Sequence, residues 1–249
     1  MLANPPPQSP SNKVTLLLLP GLEGSGTLFA PFVSALENKL GAEVHIKVVH
    51  YPTSGAHSYA ELEAIARAAV PADGAYFVLG ESFSGPIAVG LAAGASPRCK
   101  GLILCATFVR NPVPLLRLTK PLLSVLPLSA GRLQLAIYFL LGPFCTPALR
   151  AMLAPPIAKI SSQAVRTRLR AVLDVDVAAK FAKLRLPVLY LRAAHDRTVP
   201  KSASELVLQL RPDAQVVQLD APHFLLQTVP GEAAEVVAGF VRRYAAEQG

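Results

Sequence analysis

The segment Ala75-Tyr76-Phe77-Val78-Leu79-Gly80-Glu81-Ser82-Phe83-Ser84-Gly85 decides the fold. Residues 75–79 are apolar, aromatic and β-branched, and read as a buried strand. Residues 83–94 are small and apolar and read as a helix. Ser82 therefore sits on a tight strand-to-helix turn. Such a turn crowds its own backbone, so the positions two before and two after the serine must be small, and Gly80 and Ser84 are. The turn exposes the Ser82 hydroxyl and aims the backbone N–H of Phe83 at the same place. The helix N-terminus behind it favours negative charge developing there.

Outward from this turn the same alternation repeats. Strand candidates are 13–19, 44–50, 75–79, 101–105, 187–192 and 215–219; helix candidates are 28–40, 58–70, 83–94, 201–211 and 231–246. Most of the strands are continuously apolar, the pattern of strands covered on both faces in a parallel sheet. Strand–helix alternation gives βαβ units with right-handed crossovers. The expected class is α/β, with a mostly parallel sheet of about six strands flanked by helices. The alternation stops between 110 and 185, where eight prolines interrupt a stretch helical in flavour. A structureless loop of that length is improbable, so 110–185 is expected to be a helical cap of three to five short helices. It follows the fourth strand and divides the core into 13–109 and 186–249. Residues 1–12, polar and Pro-rich, are expected to form a disordered tail.

A serine hydroxyl is a poor nucleophile without a base. Of five histidines, only His195 and His223 follow Ser82. His223 comes directly after the last strand, where a loop returns to the carboxyl edge of the sheet. Its carboxylate partner is expected to be Asp196, in Ala194-His195-Asp196-Arg197-Thr198-Val199-Pro200, just after the strand before it. The order Ser82, Asp196, His223 is the one this arrangement requires. Asp220 is a rival three residues from His223, badly placed to reach the far ring nitrogen. Asp174 and Asp176, where the cap rejoins the core, are weaker rivals, and His195 is expected to face solvent or the cap. A second donor for an oxyanion, beside the Phe83 N–H, should come from Leu19-Pro20-Gly21-Leu22-Glu23-Gly24-Ser25-Gly26, and Leu22 N–H is the choice. The alternative is that these glycines only make a tight turn. The loop lacks the residues of a phosphate-binding loop.

Together GESFSG, LPGLEGSG, AAHDRTVP and APHFLLQTVP resemble the α/β-hydrolase superfamily. The resemblance spans the core and matches the cap only in position. It implies the α/β-hydrolase fold, with Ser82 as nucleophile, His223 as base, Asp196 as orienting acid, and Leu22 and Phe83 as oxyanion-hole amides. Within the superfamily the chain is similar to the small capped serine carboxylesterases, among them the pimeloyl-[acyl-carrier protein] methyl ester esterases. It departs from these in carrying Pro20-Gly21 where His-Gly is common, and it has no room before Lys13 for two further strands. Serine at the elbow disfavours the related dehalogenases and epoxide hydrolases, which use a carboxylate. The expected chemistry is cleavage of carboxylic esters through an acyl-enzyme, which needs no cofactor or metal. Acyl transfer to an alcohol, or hydrolysis of a carrier-bound ester or thioester, uses the same triad. A ligand receptor built on this fold is a further reading.

The net charge is +8, and 110–185 carries twelve basic residues against two acidic, a local excess of +10. The core is thus slightly acidic. The basic cap suggests an acidic carrier protein or an anionic surface as partner; a solvated face of mixed helices explains the same charge. Apolar cap residues (Leu133, Leu135, Ile137, Tyr138, Phe139, Phe144) suggest a small-molecule ester with an apolar acyl or alcohol part, although packing of the cap on the core accounts for them equally. Nucleic acid is disfavoured, because no aromatic platform is interleaved with the basic residues. No run is long enough to span a bilayer. Cys99, Cys105 and Cys145 cannot all pair and lack zinc-site spacing, so reduced thiols and a cytoplasmic location are expected.

Overall fold

The computed structural model describes residues 14–94, 97–121, 123 and 130–246; the expected 1–12 tail and the Leu133 side chain lie outside what it describes. The strands are β1 (Val14–Leu19), β2 (Val44–Val48), β3 (Tyr76–Glu81), β4 (Cys99–Cys105), β5 (Val188–Ala193) and β6 (Gln215–Leu219). They form one sheet in the order β2-β1-β3-β4-β5-β6, and every pairing is parallel. This is the α/β-hydrolase fold with the six strands expected.

The central strands β1, β3, β4 and β5 run largely apolar because each face of the sheet has its own core, whereas the edge strands β2 and β6 keep polar residues. On β1, Leu17 and Leu19 pack with Val78, Leu102 and Tyr190 on one side. Leu16 and Leu18 pack with Phe77, Ile103 and Leu189 on the other. Alternate residues point to opposite faces, so only a strand buried on both loses its polar positions. Helices α1 (Ala30–Leu40) and α2 (Tyr59–Ala68) follow the first two strands; α2 opens with a capping box between Ser58 and Glu61. Helix α3 (Gly85–Ala93) follows the serine turn and is buried from Gly85 through Ala92, which explains its lack of a polar face.

Between β4 and β5 the chain leaves the sheet. It forms a 3₁₀ turn at Pro114–Thr119 and then α4 (Ala130–Leu141), α5 (Pro147–Lys159), α6 (Ser162–Asp174) and the short α7 (Ala178–Ala182). Departure and return are stitched by an antiparallel bridge between Arg110 and Asp176, which also form a 2.9 Å ion pair. Ile137, Leu141, Leu153 and Ile157 of α4 and α5 pack on Leu28 and Phe224 of the sheet portion. Helices α8 (Lys201–Leu210), α9 (Leu225–Thr228) and α10 (Pro230–Ala246) complete the chain. The four-residue α9 has no counterpart in the sequence pattern, being too short to show a period. No helix of the described residues is long and apolar enough to cross a membrane.

Candidate active site

Strand β3 runs through Gly80 and Glu81, where the residue pattern alone stops it at 79, and delivers Ser82 to the carboxyl edge of the sheet. Ser82 adopts a φ of 49°, a left-handed conformation that few non-glycine residues occupy. The surroundings hold it there. The Thr107 hydroxyl donates to the Ser82 carbonyl, and the Ser84 hydroxyl donates to the Pro20 carbonyl. A Cβ at Gly80 would lie 2.7 Å from both Ala88 Cβ and the Ser84 carbonyl oxygen, so only glycine lets the helix fold back this closely.

His223, in the loop after β6, brings Nε2 to 2.8 Å from Ser82 Oγ. Its Nδ1 lies 2.8 Å from Oδ2 of Asp196, in the loop after β5. The other Asp196 oxygen accepts the backbone N–H groups of Thr198 and Val199 at 2.7 and 2.8 Å, which fixes the carboxylate. Both side chains are buried. Burial disfavours the charged imidazolium, but the Asp196 carboxylate, its hydrogen bond and the nearby Glu81 outweigh this and raise the His223 pKa above 6.5.

The rival residues are engaged elsewhere. Asp220 pairs with His195 at 2.8 Å, both well exposed. Asp174 pairs with Lys120 and with Arg117 at 3.5 Å, and Asp176 with Arg110.

The loop after β1 lies across the serine turn: a Cβ built on Gly21 would sit 3.8 Å from Ser82 Cβ. Glu23 organises the loop by accepting the Ser25 and Gly26 N–H groups at 2.6 and 3.3 Å. Arg168 of α6, only 1% exposed, reaches in from the helical segment. Its Nη1 donates to the Leu22 carbonyl at 2.5 Å and its Nη2 to the Pro52 carbonyl at 2.6 Å. The guanidinium lies 5.9 Å from the Phe83 ring centroid. Gly24, at φ +79°, leaves it the space; a Cβ there would come 2.5 Å from Nη1. Tyr59 stacks on Phe83 at 4.6 Å and donates to the Phe83 carbonyl at 3.0 Å. Leu22 and Phe83 are thus both restrained beside Ser82.

Glu81 is buried beside the serine and accepts a 3.0 Å hydrogen bond from Gln227 Nε2. Burial pushes its carboxyl up to about 7 against the opposing effects of Gln227 and His223. Sequence reasoning passes over Glu81, Glu23 and Arg168. Glu81 fills a variable position of the turn, and Arg168 is one of twelve basic residues in its segment. Among the described residues no group of three His, Cys, Asp or Glu side chains could hold a metal ion.

Residues 16–238 match the model of the Alpha/beta hydrolase family. A search of curated proteins gave no match. Among solved structures, the chain is similar to a bromoperoxidase from Bacillus anthracis, with a TM-score of 0.78 and 16% identity over 93% of this chain and 92% of that one. It is also similar to a thermophilic esterase from Thermogutta terrifontis (TM-score 0.75, 18% identity, 94% and 91% covered). A third is the enol-lactonase from Burkholderia xenovorans LB400 (TM-score 0.73, 18% identity, 95% and 92% covered). At these identities the likeness is one of fold.

Proposed function

The chain belongs to the alpha/beta hydrolase family, and from that premise we propose that it is a serine carboxylesterase acting on small-molecule esters. The observation that carries this reading is the relay from Ser82 through His223 to Asp196, two successive contacts of 2.8 Å.

His223 Nε2 takes the Ser82 proton as Oγ attacks the ester carbonyl carbon. The carbonyl π pair moves onto oxygen, and the N–H groups of Leu22 and Phe83 hold the oxyanion. Asp196 keeps the Nδ1–H tautomer and stabilises the imidazolium. The tetrahedral adduct collapses, the alcohol oxygen leaves with the proton from Nε2, and the acyl group stays on Ser82. Water then attacks, giving its proton to Nε2. Collapse of that second adduct frees the carboxylic acid and returns the proton to Ser82.

On this reading the segment 110–185 is a cap, and its α6 helix bears on the reaction through Arg168. Cys99, Cys105 and Cys145 are free thiols, which fits a reducing compartment such as the cytoplasm.

Turnover of short p-nitrophenyl esters tests the reading. Ser82→Ala should lower kcat by about a thousandfold or more. Unchanged turnover in that variant would overturn it.

A further inference from the structure

Two cavities, each of about 230 Å³, meet at Ser82. Leu22, Ser82, Leu169 and Thr198 line both. One cavity continues past His223 and Phe224 to Leu28, Ile137 and Ile157. The other continues past Phe83 to Phe108, Val172 and Leu173. Ligand sites commonly measure about 300–1,000 Å³, so the two together suit one small molecule bent across the serine.

We infer that the substrate is an uncharged ester with an apolar group on each side of the bond cleaved, its alcohol in the Leu28–Ile157 cavity and its acyl chain in the Phe108–Val172 cavity. The inference rests on the serine esterase reading, because the sidedness comes from the chemistry. The leaving oxygen must receive the proton on His223 Nε2, so the alcohol lies on the side that His223 lines. The acyl substituent then points the other way, along Phe83.

Charge follows from the linings. Neither cavity has a Lys or Arg among its described lining residues. The two carboxyl residues among the linings, Glu23 and Glu81, belong to the alcohol cavity. A carboxylate on either the alcohol or the acyl chain would lose its hydration with no cation in the lining to replace it. Of the basic residues of 110–185, Arg110, Arg117 and Lys120 pair with Asp176 and Asp174, and Arg168 binds backbone carbonyls.

The test measures kcat/KM for ethyl acetate, ethyl octanoate, octyl acetate and the anionic monoethyl suberate. In the wild type both neutral esters with an eight-carbon chain should exceed ethyl acetate by about tenfold or more, and monoethyl suberate should fall below ethyl octanoate. Val172→Phe, filling the acyl cavity, should lower the ratio of ethyl octanoate to octyl acetate about tenfold; Ile157→Phe should raise it about tenfold. Leu116→Trp and Ala136→Trp, at the rims of the same two cavities, should shift the ratio in the same two directions if the deeper variants fold poorly. A ratio moving the same way in both cavities, or a preference for monoethyl suberate, would overturn the inference while leaving the esterase reading intact. Ethyl acetate turnover that persists in Ser82→Ala would instead overturn the esterase reading, and the sidedness with it.

Discussion

Arg168, buried in helix α6, donates a 2.5 Å hydrogen bond from Nη1 to the carbonyl of Leu22. One side chain of the inserted segment thereby holds the loop proposed to supply an oxyanion donor. The same guanidinium faces the ring of Phe83, the residue proposed to supply the other.

Arg168→Met should therefore lower kcat on a short ester by about tenfold to a hundredfold with little change in KM, because the donors matter most when the oxyanion forms. Arg168→Lys should recover only part of this, since an ammonium lacks the planar fork that serves two carbonyls at once. Leaving both carbonyls unpaired should also cost about 1–3 kcal/mol of stability. Steady-state kinetics with urea melts separates the two effects. A purely structural role would leave kcat of the folded variant unchanged.

On the proposed mechanism the acid limb of the pH profile belongs to His223, which would work as a base only when neutral. Against burial, Asp196 and Glu81 raise its pKa. In the wild type kcat/KM should fall with decreasing pH around a midpoint above 6.5. Asp196→Asn removes the charge that stabilises the imidazolium, so the midpoint should move down while kcat drops about a thousandfold or more. Asp220→Asn, whose partner is the exposed His195, should leave both unchanged. The reverse pattern would assign the role to Asp220.

Glu81 makes stability depend on pH. Its carboxyl is raised from 4.5 to about 7 in the folded chain, with burial as the main cause. Below pH 4.5 it is protonated in both states. Between 4.5 and 7 the unfolded chain releases a proton that the folded chain keeps, so stability falls as pH rises. The loss is about 3 kcal/mol at most. Glu81→Gln should flatten that dependence, giving its largest stabilisation relative to wild type near pH 8. Urea midpoints at pH 4.5 and 8 test this; an equal difference at both would contradict it.

Gly80→Ala places a Cβ against Ala88 and the Ser84 carbonyl. The displaced turn should cost about 1–3 kcal/mol and move Ser82 away from His223. Thermal melts and esterase assays should both register the loss. An active variant of wild-type stability would show that the turn tolerates more than its packing implies.

The sheet was legible because burial on both faces leaves the central strands as short, largely apolar runs between the helical stretches. The chain order of Ser82, Asp196 and His223 was legible for a related reason: parallel strands carry the loops after them to one edge. Finer boundaries were not. Gly80 looks like punctuation, yet the ladder with β4 continues to the Glu81–Cys105 pair. Glu81 carries no sequence signal of burial, because its desolvation depends on Gln227 and the β1 loop arriving from distant positions. Arg168 has the composition of a solvated helix face. Only the packing of α6 over the Leu22 loop distinguishes it from Arg166 and Arg170, its neighbours two positions away.

On the proposed mechanism Ser82 becomes covalently acylated during turnover. Rapid quenching of the wild type with a p-nitrophenyl ester, followed by peptide mass spectrometry, tests it directly. One acyl group per chain is expected, located on Ser82 and absent in Ser82→Ala. Steady turnover with no adduct on Ser82, or with the acyl group on another residue, would contradict it.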